Sequence, residues 1–166
     1  MDSSLIKQLT QVLNQENEIY DTLAKLSNNK TQVIVEGKVQ DLDSIVRIEQ
    51  SLVLKISKLE QQREEIVEVM CNQLGIKQEE VTISEILKLA HNDEGKELKN
   101  SQDKLRVTLN GLKEKNELNS KLIKNSLDYI DFSLNMMTSI GTINNNYEST
   151  GGSGDSKKRS IFDIKL

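Results

Sequence analysis

The chain has 166 residues, enough for one domain with a real core or a helical bundle with a tail. Its net charge of −4 argues against nucleic acid, because phosphate binding draws on a concentrated basic face. It has no proline and no tryptophan, and aromatics make up 3%, so helices can run uninterrupted around a core of Leu, Ile and Val.

Ser3 or Ser4 can cap a first helix predicted over about residues 3–36. Its apolar row is Leu5, Leu9, Val12, Ile19, Leu23, Leu26 and Val33, with Glu16 and Lys30 falling in it. Glu36-Gly37 ends it, glycine being the residue that tolerates a left-handed C-terminus. A second helix follows over about 41–73, with Asp41 as cap or first-turn acid. Its row reads Leu42, Ile45, Glu49, Leu52, Ile56, Leu59, Arg63, Ile66 or Val67, Met70 and Leu74, and Gly75 closes it. So short a connection makes the first two helices antiparallel neighbours.

Cys71 is the only cysteine, which excludes a disulfide framework and a cysteine-based metal site; it reads as a small buried hydrophobe. Thr82-Ile83-Ser84-Glu85 has capping-box spacing and opens a short helix over about 83–91. The last helix is the longest, predicted over about 93–140. Its core row is Leu98, Leu105, Leu109, Leu112, Asn116, Asn119, Ile123, Leu127, Ile130, Leu134 and Met137. The second half carries another apolar row, Leu118, Leu122, Tyr129, Phe132, Met136 and Ile140, on roughly the opposite side. A helix apolar on two sides needs something to bury each of them.

The expected fold is all-α, an elongated antiparallel bundle of three long helices plus one short helix. The bundle occupies 1–141, and 142–166 forms a flexible tail with a linker at 148–160, rich in glycine and serine. The start of the chain lacks a charged region followed by an apolar run, and no stretch reaches transmembrane length, so a cytoplasmic protein is expected.

Catalytic, metal and cofactor readings find no support. His91 is the sole histidine available to Cys71, and the Glu-x-x-His pairs of di-iron bundles are absent. Gly151-Gly152-Ser153-Gly154 lacks the Lys-Ser/Thr ending of a phosphate loop. Glu16, Glu49, Arg63, Asn116 and Asn119 interrupt apolar rows, and antiparallel packing brings Glu49 near Asn116 and Asn119 and Arg63 near Glu16. Such groups read as register control, since buried polar side chains penalise slipped pairings, or as a polar site inside the bundle.

The succession Glu16…Tyr20…Leu23, Glu36-Gly37…Leu42, Glu49-Gln50-Ser51-Leu52 and Leu59-Glu60…Arg63 resembles the FlgN family of flagellar type III export chaperones. Asn116…Leu122-Ile123…Ser126-Leu127…Tyr129-Ile130, then Tyr147 before Gly151-Gly152, and the terminal Phe162-Asp163 extend the likeness nearly end to end. The resemblance implies a cytoplasmic helper of flagellum assembly. Such proteins bind the hook–filament junction proteins FlgK and FlgL through their C-terminal helical segments, prevent early assembly, and deliver them to the export gate protein FlhA. It also implies that Tyr147 docks to that gate.

The second apolar row supplies an independent reason to expect a helical client. An amphipathic helix can lie along Leu118, Leu122, Tyr129, Phe132, Met136 and Ile140, and Met adapts to more than one partner. The competing expectations are coverage of that row by the chain's own segments and self-association as a homodimer. At the level of function the alternative is a structural coiled-coil adaptor or scaffold, which would spread its apolar surface along the rod or at both ends.

Overall fold

The computed structural model describes residues 3–75, 82, 85–87, 90 and 92–144, with the backbone alone at 92 and 140–144. The long elements are all helices: α1 (Ser3–Val35), α2 (Val39–Leu74) and α3 (Asn92–Asn144). The protein is all-α.

Local chemistry sets the helix ends. At the end of α1 the Lys38 N–H donates to Val33 O (3.1 Å) and the Gly37 N–H to Ile34 O (3.1 Å), with Gly37 at φ 67°. This pair of bonds satisfies carbonyls that the last helical turn leaves open, and glycine alone takes that φ without strain. Gly75, at φ 68°, ends α2 by donating its N–H to Cys71 O. The capping box forms as expected: the Thr82 N–H donates to Glu85 Oε2 (3.1 Å), and the Glu85 N–H donates to Thr82 Oγ1 (3.3 Å).

Asp41 stands in the first turn of α2, one of the two roles expected for it; the helix begins at Val39, with Lys38 in the cap position and no side-chain cap bond. Two expectations about ends need correction. Ser3 lies within α1, and its hydroxyl donates to the Glu94 carboxylate, tying the starts of α1 and α3 together. α3 runs through Gly141 to Asn144, because an interior glycine costs only about 1 kcal/mol relative to alanine.

Residues 1–124 form one compact unit and 125–166 a second. In the first, Lys30 Nζ meets Glu49 Oε2 at 2.7 Å and Arg63 Nη1 lies 3.8 Å from Glu16 Oε2, so α1 and α2 are antiparallel. α1 and α3 run parallel instead: Asn17 Nδ2 donates to Ser101 O (2.9 Å), Ser27 Oγ to Asn116 Oδ1 (2.9 Å) and Thr31 Oγ1 to Asn119 Oδ1 (2.6 Å). The core of this unit joins Leu5, Ile6, Leu9 and Leu13 of α1 to Met70 of α2, Ile86, and Leu98 and Leu105 of α3. Leu98 and Met70 have no exposed surface, and each is expected to contribute a few kcal/mol by burial. Cys71 is buried beside Met70 as a free thiol.

Candidate functional site

The α1–α3 seam of the first unit is polar. Beyond the bonds above, Asn119 Nδ2 donates to Ser27 O (2.9 Å), and Ser101 Oγ donates to Asn14 Oδ1 (2.7 Å). Lys104 Nζ and Thr108 Oγ1 both donate to Asp21, at 2.7 and 3.3 Å. The Lys104 hydrogen bond holds the Asp21 carboxyl below its usual range. Of this row, only Asn116 and Asn119 were expected to face the interior. Asn14, Asn17, Asp21, Ser27 and Thr31 lie outside the row expected to be buried on α1. Yet Ser27 is fully buried, and its small side chain lets α3 approach closely.

On the other side of Asn116 and Asn119 a cleft of about 720 Å³ opens among the three helices. Leu23, Val53, Ile56, Leu112 and Ile123 give it apolar walls, and Lys30, Glu49, Asn116 and Asn119 line it too. The expected proximity of Glu49 to the two asparagines is therefore present. Lys30 and Glu49 neutralise each other, so the cleft offers no free charge from this pair. Among the described residues no group of three His, Cys, Asp or Glu side chains can hold a metal ion.

Glu16 is 1% exposed, with Oε1 lacking any hydrogen-bond partner. Burial pushes its carboxyl above the ordinary value; Arg63 opposes the rise and Glu60 adds to it. Burial, together with the carboxylates of Glu60 and Glu16, likewise raises the Tyr20 phenol. A charged group held this way costs stability while it discriminates between helix registers.

Among the described residues, the second unit presents a dense run of exposed apolar side chains. Leu127, Tyr129, Ile130, Phe132, Leu134, Met136 and Met137 are all exposed, from 49% at Met136 to 71% at Tyr129. Four of these, Leu127, Ile130, Leu134 and Met137, were expected to face the bundle, and the structure corrects that expectation. Thr31 meets Asn119 at a separation of 88 positions, so α1, which stops at Val35, has residues to pair only to about position 123 of α3. Further along, the apolar periodicity continues on exposed positions.

Stepping about 100° per residue merges the two rows into one apolar arc of about 220° over residues 127–139. The remaining strip holds Asp128, Asp131, Asn135, Thr138 and Ser139. Ser133 falls inside the arc, but its hydroxyl donates to Tyr129 O (2.8 Å), which turns the one polar interruption toward the backbone.

The individual residues of the predicted row fall as follows. Tyr129, Phe132 and Met136 are exposed in the second unit. Leu118, in the first unit, is exposed, and Leu122, also there, is half-buried. The side chain of Ile140 and the whole of Tyr147 lie outside the described residues. Among the described residues no helix is long and apolar enough to cross a membrane.

Comparison with known proteins bears on what this surface serves. The chain is 29% identical over 119 residues to the uncharacterized protein YvyG of Bacillus subtilis (strain 168), an alignment covering 72% of each chain. No solved structure matches it. A family model described as FlgN protein matches residues 1–154. That match spans most of the chain: the chain belongs to the FlgN family, chaperones of flagellar export.

Proposed function

We propose that this protein binds the C-terminal helical segments of the hook–filament junction proteins, FlgK-like and FlgL-like, keeps them from assembling early, and delivers them to the FlhA-like export gate. What supports the reading is the apolar arc of the second unit, uncovered over most of its circumference, in a chain of this family. Client helices bury their apolar faces on Tyr129, Phe132, Met136 and Ile140, and the first unit adds Leu118 and Leu122. Binding of this kind draws on apolar area and needs no catalysis or cofactor. Unbranched methionines at 136 and 137 allow related but unequal clients to be accommodated. Tyr147 is proposed to serve at the gate rather than in client capture.

A scaffold would distribute its apolar surface. Val35, Val39, Ile48, Val53, Leu54, Val69, Val107, Leu109 and Leu118 are also exposed, but they are spread from position 35 to position 118, whereas seven exposed hydrophobics crowd between Leu127 and Met137. That concentration favours the chaperone reading.

The test is a titration of the full chain with a purified hook–filament junction protein, using the parent and a Phe132→Asp, Met136→Asp variant. Loss of affinity of about a hundredfold or more is expected, with the urea midpoint unchanged. Retained affinity rejects the site.

A further inference from the structure

The apolar arc of residues 127–139 has two edges, and each carries one carboxylate. Asp128 stands one turn before Phe132, at one edge, and Asp131 one turn after Leu127, at the other; each lies about 40° outside the arc. Both are exposed. They are the only charged residues from Asn125 to Asn144, a span without lysine or arginine. The width also matters. One docked helix covers an apolar stripe of about 100°, so an arc of about 220° requires two.

Resting on the client-binding reading above, we infer that the client embraces this helix from both sides with two helical segments, each presenting a lysine or arginine at its outer edge, one toward Asp128 and one toward Asp131. Charge complementarity selects the occupant. A second copy of this helix would bring two more carboxylates and no basic residue to the same seam, and like charges at an interface are penalised. Apolar contact supplies the affinity, while the two carboxylates set orientation and encounter rate and reject acidic-edged helices.

The experiment uses the full chain and two designed helical hairpins with identical leucine- and methionine-bearing inner faces. One hairpin carries lysine at both outer edges and the other glutamate. The lysine hairpin is expected to bind about tenfold more tightly at low salt, and the preference should narrow at about 0.5 M salt as the charges are screened. Asp128→Lys and Asp131→Lys should each reduce the preference about threefold, and the double variant should favour the glutamate hairpin. Equal binding, no binding of either hairpin, or a preference that answers to only one of the two positions overturns the inference. So does a dimer in sedimentation that Phe132→Asp dissolves, which would make a second copy the occupant. Failure of the underlying reading looks different: a junction protein that still binds the Phe132→Asp, Met136→Asp variant.

Discussion

Glu16 Oε2 lies 3.8 Å from Arg63 Nη1, while Glu16 Oε1, buried in the same place, meets no hydrogen-bond donor. One half of this carboxylate is paired loosely across α1 and α2, and the other half is stranded. The arrangement holds register at a cost in stability that depends on pH.

Because burial raises the Glu16 carboxyl above its unfolded value near 4.5, the folded state binds the proton more tightly than the unfolded state. The penalty is absent below that unfolded value and grows as pH rises through the folded one, so Glu16 lowers stability at neutral and alkaline pH. Glu16→Gln, which mimics the protonated form, should raise the free energy of unfolding (stabilise the fold) at pH 8 by on the order of 1 kcal/mol and change it little at pH 4. Urea unfolding at both pH values checks this. An equal shift at both would show that the charge is not the source.

Asn119 is buried between Ser27 and Thr31, donating to the Ser27 carbonyl and accepting from the Thr31 hydroxyl. Asn119→Ala strips partners from buried groups on α1, and a loss of about 2–3 kcal/mol is expected. Asp21→Asn, at the exposed Lys104 contact of the same seam, should cost at most about 1 kcal/mol and less at high salt. Denaturant midpoints at two salt concentrations separate the buried contribution from the screened one.

Leu122 and Phe132 belong to the same predicted row but differ in burial. Leu122→Asp places a charge where the side chain is half-buried, so it should lower stability by about 1–2 kcal/mol. Phe132→Asp, at an exposed position, should stay within about 0.5 kcal/mol of the parent. Thermal unfolding of the two single variants decides the matter, and equal losses would mean that Phe132 is covered in solution.

Tyr147→Ala should leave the affinity for a hook–filament junction protein unchanged and weaken capture by the cytoplasmic part of an FlhA-like gate. Binding assays run separately for client and gate distinguish the roles. A fall in client affinity would assign Tyr147 to client capture instead.

α2 was the most legible element. Every position of its predicted row, from Leu42 to Leu74, is buried or half-buried, including the charged Glu49 and Arg63. This helix packs on one face along its whole length, so a single stripe at a period of 3.6 residues carries nearly all the information. α1 was half legible. Its leucines marked one contact face, but an asparagine or serine has the same letter whether water or a facing helix satisfies it. The second face, with Asn17 and Ser27, therefore became visible only once α3 lay against it.

What the amino-acid sequence determined by itself was the local part: three long helices without proline, their glycine ends at Gly37 and Gly75, and the capping box at Thr82 and Glu85. These depend on backbone conformations and hydrogen bonds spanning a few residues. Where α3 ceases to be covered was decided by tertiary structure alone. Leu105 and Leu127 occupy the same predicted row, yet one is buried and the other exposed. Periodicity records that a face is apolar, whereas burial depends on whether another element lies against it, which no local pattern encodes.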